Sequence, residues 1–212
     1  MKIRITNAGK RFNREWIFRN LDFEFISEIS YAITGPNGSG KSTLLQIIAG
    51  ATTFNEGEIE YYLSGKKIQP ENIYSCISFG APYLELIEEM SLIEFLHFHS
   101  RLKSWLPSFN SEKIISIINL EKAAQKQIRY FSSGMKQRVK LAQAIFSNTP
   151  VILLDEPCTN LDAAGISLYK NLVKNYCNNR LLIISSNDIQ EYDFCEEKID
   201  MINYKPAFLN IL

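Results

Sequence analysis

The hydrophobic and polar positions alternate near the N-terminus and form short apolar runs farther along the chain. Lys2 to Thr6 and Leu21 to Phe25 alternate with the period of a strand that has one buried face. Ile29 to Thr34, Val151 to Leu154 and Leu181 to Ile184 are short and mostly apolar, as strands buried on both faces are. The pattern therefore predicts half-buried strands first and a buried sheet later.

Between the strands, apolar positions recur with the period of a helix. Helices are predicted from about Gly40 and from Ser133 to Phe146, and Asp162 can cap a third. Glu58 to Leu63 and the residues from Lys66 onward are expected to form a hairpin around Ser64-Gly65. Buried strands that alternate with helices indicate parallel β-α-β units, so the predicted fold class is α/β with helices on both faces of the sheet.

One segment, from about residue 83 to about residue 135, is helical in pattern and lies between β-rich flanks. The residues from Ser91 to Glu94 form a capping box, which predicts a helix beginning there. Pro107 is expected to end this helix, and Ser111 to begin the next one. We interpret the segment as a helical lobe inserted into a single domain of residues 1–212.

Composition limits the possible partners. The chain has 212 residues, 46% of them hydrophobic, and its 23 basic side chains balance 23 acidic ones. A neutral chain has no field that would recruit nucleic acid, so none is expected as a partner. No apolar run reaches the ~20 residues that cross a bilayer. The scattered cysteines predict free thiols in a reducing cytoplasm: Cys76, Cys158, Cys177 and Cys195.

The strongest chemical signal is a P-loop pattern after the buried strand that ends at Thr34. Its glycines let backbone N–H groups turn toward a β-phosphate, and the following helix points its positive dipole end at the same place. The lysine of the pattern, Lys41, is expected to bind phosphate oxygens of ATP, and the next residue, Ser42, is expected to ligate Mg²⁺. The alternative is an ordinary glycine-rich turn. The run consists of Gly35, Pro36, Asn37, Gly38, Ser39, Gly40, Lys41, Ser42 and Thr43.

A pair of acids, Asp155 and Glu156, follows the apolar strand from Val151. Ligands of open α/β sheets bind at the carboxyl ends of the strands. Asp155 is therefore expected to hold the Mg²⁺ shell through water, and Glu156 to polarise the water that attacks the γ-phosphate. Acids in this position can also cap helices, but the P-loop upstream favours the catalytic interpretation.

Two further motifs point to a family. The run from Phe131 to Arg138, Phe-Ser-Ser-Gly-Met-Lys-Gln-Arg, resembles the signature motif of ABC ATPases, with Phe131 and Ser133 in place of the commoner leucine and glycine. Thr159 to Asp162 resembles the D-loop of that family. With the P-loop and the acidic strand, the resemblance covers about residues 1 to 200. It implies a P-loop NTPase core sheet with an N-terminal antiparallel β subdomain and an inserted helical lobe.

The resemblance also implies how ATP is held. Two cassettes would pair head-to-tail around two ATP molecules, each covered by the partner's signature, here Ser132, Ser133 and Gly134. The small residues at this helix start leave backbone N–H groups free for a γ-phosphate. The adenine would stack on Phe12, with Trp16 as the second choice, unless Phe12 is simply a core residue. The pair would be a homodimer or this chain with a different cassette.

Two family positions are altered. Pro82 stands where the family carries a glutamine that contacts Mg²⁺ and the attacking water, and proline offers no side-chain ligand. Glu85 or Glu88 could reach the site instead, or both could be ordinary solvated acids. Asn187 stands at the position of the switch histidine, and an amide cannot relay a proton. We therefore expect ATP binding and dimerisation to be intact and hydrolysis to be slow.

The family resemblance favours an ATPase subunit that drives a separate transmembrane permease. Such a subunit would be cytoplasmic and peripheral on the inner face of the cell membrane. Tyr83 and Leu84 fall where the family receives the permease, so they are expected to form a docking patch or else buried core. His97 and His99 are interpreted as structural. The alternative function is a soluble, non-transport ABC ATPase that acts as an ATP-gated clamp or regulator.

Overall fold

The computed structural model describes residues 1–206 and contains two β-sheets. The first is antiparallel, with the strand order β2-β1-β4-β5, and it forms the N-terminal β region that the sequence predicts. The bounds of its strands are Lys2–Phe12 for β1, Glu15–Ile26 for β2, Glu56–Leu63 for β4 and Lys66–Lys67 for β5.

The second sheet is parallel throughout, and its strand order is β6-β7-β8-β3-β9. Parallel strands place their carboxyl ends at one edge, so the loops after β3, β6, β7 and β8 meet there. The bounds are Ser30–Thr34 for β3, Ile77–Gly80 for β6, Val151–Asp155 for β7, Leu181–Ser185 for β8 and Glu197–Asp200 for β9.

Five α-helices complete the described part of the chain, and they confirm the α/β class. Ser91 and Glu94 form the predicted capping box. The next helix begins at Ser111 as predicted, and its cap is the amide oxygen of Asn110, which accepts from the Lys113 N–H at 2.8 Å. The helices are α1 (Lys41–Ile48), α2 (Leu92–Leu102), α3 (Ser111–Ile117), α4 (Ser133–Phe146) and α5 (Ala163–Tyr176).

One prediction about the elements needs correction, and two strands were not predicted. Helix α2 ends at Leu102, well before Pro107, because Lys103 is extended and Trp105 pairs with Ser147. Strand β6 was not predicted, because it is short and carries the polar residue Ser78. That hydroxyl is buried and donates to the carbonyl of Val151 at 3.2 Å. Strand β9 was not predicted either, since it is a mostly polar edge strand.

The buried side chains form one cluster on each face of the parallel sheet. Alternate residues of β7 belong to different clusters, Val151 and Leu153 to one and Ile152 and Leu154 to the other. The first cluster includes α1 and the antiparallel sheet, and the second includes α4, α5, α2 and α3. The lobe therefore shares its core with the sheet. Its description as part of one domain of residues 1–212 stays a prediction.

Residues 1–206 contain no helix long and apolar enough to span a membrane.

Candidate nucleotide site

The predicted P-loop joins the end of β3 to the start of α1. Three of its glycines, Gly35, Gly38 and Gly40, have φ angles of 133°, 76° and 98°, which side-chain-bearing residues rarely adopt. A Cβ on Gly35 would lie 2.7 Å from the Ser39 Oγ, and one on Gly40 would lie 2.5 Å from the Ile17 Cγ2. The loop therefore requires glycine for both its backbone conformation and its packing.

Lys41, the first residue of α1, is buried and turns its amine back onto the loop. Its Nζ donates to the carbonyl of Gly35 at 2.8 Å and to that of Pro36 at 3.3 Å. Burial lowers the pKa of this amine, while the charges of Glu156 and Asp155 oppose that change. The lysine amine is thus held at the floor of the loop. A cleft of about 270 Å³ opens above it, lined by Asn37, Gly38, Gly40, Lys41, Ser42, Thr43 and Glu156.

The two acids lie at the carboxyl end of β7, as predicted. Asp155 is 1% exposed, and its Oδ1 is buried with no hydrogen-bond partner among residues 1–206. A buried, unpaired carboxylate oxygen is costly, and an oxygen ligand of this kind suits Mg²⁺. Glu156 has a φ of 41°, and its N–H donates to the carbonyl of Ser185 at 2.8 Å. This strained turn directs Glu156 into the cleft beside Ser42.

Tyr83 reaches the same acidic strand, which the sequence did not predict. Its hydroxyl donates to the Asp155 Oδ2 at 3.1 Å and accepts from the Gln46 Nε2 at 3.2 Å. The pKa of this phenol is raised to about 12, mainly because its hydroxyl end is partly buried and also because carboxylates lie nearby, so the phenol stays protonated. The residue is 49% exposed, so it is not buried core, and its hydroxyl is engaged at the site. Its position directly after Pro82 is the signal that could have revealed it.

The acids proposed as substitutes for the missing glutamine lie elsewhere. Glu88 forms an ion pair with Lys136 of α4. Glu85 is exposed and lines a surface cleft with Lys136 and Lys140. The carbonyl of Pro82 accepts a hydrogen bond from the Lys140 amine. The prediction that Glu85 or Glu88 reaches the site is thus not supported by these contacts, which fit ordinary surface acids.

Asn187 is brought to the P-loop from the end of β8. Its Nδ2 donates to the Asn37 Oδ1 at 2.5 Å, and both side chains are exposed. The amide therefore lies beside the mouth of the cleft, where the resemblance expects the switch residue. It offers a hydrogen-bond donor but no ionisable group.

The signature residues begin α4 and lie against the D-loop segment. Ser132 is the N-cap, and its Oγ accepts from the Met135 N–H at 3.3 Å. Ser133 is exposed, and a Cβ on Gly134 would lie 3.0 Å from the carbonyl of Asn160. Within residues 1–206, no hydrogen bond joins these residues to the P-loop. The start of α4 thus presents a separate surface of small residues.

Of the two aromatic candidates for adenine stacking, Phe12 has the freer ring. It is 53% exposed at the end of β1, with the Lys10 amine 5.1 Å from its ring centre. The alternative that Phe12 is a core residue is therefore wrong. Trp16 is half-buried and covered by the guanidinium groups of Arg11 and Arg19, at 5.4 Å and 4.3 Å.

A buried acid behind the site was also missed. Glu191 is 4% exposed, and its Oε1 accepts from the Cys158 N–H at 2.7 Å, directly after the Glu156-Pro157 turn. Its backbone carbonyl accepts from the Tyr169 hydroxyl at 2.7 Å. Burial raises the pKa of this carboxyl. Glu191 therefore anchors the start of the D-loop, whereas His97 and His99 hold the helical lobe through Glu112 and Ser147.

Residues 18–159 match the protein-family model described as ABC transporter. The cytochrome c biogenesis ATP-binding export protein CcmA of Xylella fastidiosa is 35% identical over 141 residues, which are 66% of this chain and 63% of that protein. The matched stretch is thus less than two thirds of that relative. The uncharacterized ABC transporter ATP-binding protein YybJ of Bacillus subtilis is 29% identical over 94% of this chain and 92% of its own length.

Solved structures agree on the fold. The ATP-binding cassette MJ0796, solved as a dimer in a post-hydrolysis state with ADP and Pi, superposes with a TM-score of 0.76 at 22% identity. The match covers 93% of each chain. An ATP-binding subunit of an ABC transporter gives a TM-score of 0.80 at 20% identity, over 94% of this chain and 85% of that one. At these identities the likeness shows the cassette fold alone.

Proposed function

The chain belongs to the ABC transporter family of ATP-binding proteins, and we propose that it binds and hydrolyses ATP to drive a separate membrane permease. One observation carries the proposal. The buried Lys41 amine and the unpaired Asp155 Oδ1 lie at the same edge of the sheet, beside a cleft lined by the P-loop and Glu156. A lysine and a carboxylate at a P-loop are suited to a nucleoside triphosphate and its metal ion.

Binding uses groups that are already in place. The P-loop N–H groups and the start of α1 surround the phosphates, and Lys41 exchanges two loop carbonyls for phosphate oxygens. The Ser42 hydroxyl and the Asp155 carboxylate would hold Mg²⁺, which when bound supplies positive charge to the phosphate oxygens. The adenine ring would stack on Phe12, because this ring is exposed at the end of β1.

Hydrolysis needs a water aligned on the γ-phosphate. Glu156 lines the cleft and can accept the proton of that water. Asn187 can donate a hydrogen bond to the γ-phosphate, but its amide cannot relay a proton, and Pro82 supplies no ligand. We therefore propose a slow hydrolytic step, because the loss of one preorganised donor typically lowers the rate on the order of 10²–10³-fold.

A second cassette would complete the site. Ser132 and Ser133 at the start of α4 are exposed, and Gly134 is half-buried. These residues form no hydrogen bond with the P-loop of their own described chain, so they are available to the ATP of a partner. The partner is a second copy or a different cassette. The dimer form of the MJ0796 cassette supports this arrangement for the fold.

The permease would dock on the side of the helical lobe. Beside Tyr83 and Leu84, a surface cleft of about 360 Å³ carries both acidic and basic side chains, among them Glu85, Glu88 and Lys136. Such a mixed surface suits a short polar segment of a membrane protein. The chain would then lie in the cytoplasm, peripheral on the inner face of the membrane. Relatives are named as both export and import proteins, so the permease would determine the direction.

The test is an assay of phosphate release with purified protein, Mg²⁺ and ATP. We expect slow turnover that falls further, on the order of 10²-fold or more, in Glu156→Gln with ATP affinity retained. Glu85→Gln, which changes an exposed acid outside the nucleotide cleft, is the matched control. Turnover of many molecules per second in the unaltered protein would show that Pro82 and Asn187 are compensated.

The transport function and the alternative clamp function predict different partner proteins. A transport subunit should co-purify with a multi-span membrane protein when it is isolated gently from its own cells. Recovery with repair or translation proteins instead would favour the ATP-gated clamp.

A further inference from the structure

Tyr83 lies where the loop after β6 leaves the sheet. Strand β6 runs parallel to β7, and Gly80 pairs with Leu154, so the loop passes directly beside Asp155. The Tyr83 ring contacts Phe79 edge-on, with ring centres 6.4 Å apart. The backbone course and this contact together hold the phenol against the acidic strand.

The direction of the Tyr83 hydrogen follows from its neighbours. The Gln46 amide nitrogen can only donate, so the phenol oxygen accepts from it at 3.2 Å. The phenol hydrogen is then free to be given to the Asp155 Oδ2, 3.1 Å away, which can only accept. Gln46 belongs to α1, the helix that also carries Ser42. The chain of hydrogen bonds thus links Asp155, one expected metal ligand, to α1, the helix that carries the other, Ser42.

We infer that Tyr83 is a positioning residue that fixes the Asp155 carboxylate for Mg²⁺. Its hydroxyl engages one carboxylate oxygen, Oδ2, while the other, Oδ1, is buried without a partner in the described chain and remains for the metal shell. The inference rests on the proposed ATP and Mg²⁺ site. It assigns to Tyr83 a task that Pro82, at the family's glutamine position, cannot perform.

The hydroxyl can be removed without changing the ring. In Tyr83→Phe, ATP binding is measured by calorimetry over a series of Mg²⁺ concentrations and again in EDTA. We expect the Mg²⁺ concentration for half-maximal binding to rise about tenfold, the usual effect of one hydrogen bond to a charged group. Affinity for ATP in EDTA and the thermal midpoint should not change. Tyr74→Phe, at a 69% exposed tyrosine, is the matched control.

The Gln46 contact gives a second, independent readout. Gln46→Ala should raise the Mg²⁺ requirement less than Tyr83→Phe does, and the double variant should match Tyr83→Phe alone, because both changes act on one chain of hydrogen bonds. Additive effects would contradict a shared role.

Three outcomes overturn the inference in different ways. An unchanged or lowered Mg²⁺ requirement in Tyr83→Phe, with normal binding by the unaltered protein, would refute the role of Tyr83 alone. An equal loss of ATP affinity in EDTA would show that Tyr83 only packs the loop. Failure of the unaltered protein to bind ATP with Mg²⁺ would remove the proposed function and the inference together.

Discussion

The carboxyl edge of the parallel sheet and the helical lobe differ in whether their buried polar groups have hydrogen-bond partners. At the edge, several buried side-chain atoms have no hydrogen-bond partner within residues 1–206, namely Ser39 Oγ, Asp155 Oδ1, Ser185 Oγ and Glu191 Oε2. In the lobe, the Ser91 N–H bonds to the Glu94 carboxylate at 2.8 Å, and His99 bonds to the Ser147 hydroxyl at 2.9 Å while stacking on Trp105.

This difference indicates that the polar groups of the edge serve ligand binding, whereas those of the lobe serve the stability of the fold. Unpaired buried groups cost free energy, so they persist where a ligand can satisfy them. Satisfied caps and apolar packing instead stabilise the fold and contribute nothing directly to a ligand. Substitutions at the edge should therefore alter nucleotide chemistry with little effect on unfolding, and substitutions in the lobe should do the reverse.

The largest effect is expected at Lys41. Lys41→Ala removes the charge that would contact the phosphates, so the dissociation constant for ATP should rise on the order of 10²–10³-fold, the loss of charge-assisted hydrogen bonds. The denaturation midpoint should change little, because burial of the amine opposes its two bonds to loop carbonyls. Calorimetry and chemical denaturation measure the two quantities.

Lys67→Ala is the control for Lys41, since Lys67 is an exposed residue of β5 that pairs with Glu60. Unchanged ATP affinity in Lys41→Ala would refute the proposed site.

In the lobe, Leu96→Ala should lower the free energy of unfolding by about 2–5 kcal/mol, because Leu96 is fully buried in the cluster shared with the sheet. ATP affinity of the folded protein should be retained. Leu102→Ala in the same helix is the control, since Leu102 is 68% exposed. A weakened ATP affinity in Leu96→Ala would show that the lobe and the edge are coupled.

At the carboxyl edge of the sheet, Asn187→His introduces an ionisable group beside Asn37. We expect steady-state phosphate release to rise about tenfold or more, because a proton can then be relayed. Asn187→Ala removes the amide without adding an ionisable group, so phosphate release should not rise in that variant. If Asn187→His is no faster, the slow step lies in another part of the cycle.

The smallest effect is expected at the cap of α2. Ser91→Ala removes one half of the capping box and should cost roughly 1 kcal/mol of stability, measured by denaturation. Ser100→Ala, inside the same helix, should be close to neutral, because alanine is a better helix former than serine. Equal losses in both variants would mean that the cap contributes nothing particular.

The elements with contiguous signals were predictable from the sequence. The capping box from Ser91, the Asp162 cap and helix Ser133–Phe146 occur where their patterns indicated, because each depends on neighbours along the chain. Strands β6 and β9 were missed, since a short strand at a sheet edge need not be apolar and acquires its pairing from another part of the chain.

The sequence by itself determined the P-loop, the acidic pair and the signature, because each is a short contiguous run whose chemistry follows from residue type and spacing. Only the tertiary structure decided which side chains meet across the edge. Tyr83 lies 72 positions from Asp155, and Asn187 lies 150 positions from Asn37. The parallel order β6-β7-β8-β3 brings these loops together, and no local pattern encodes that order.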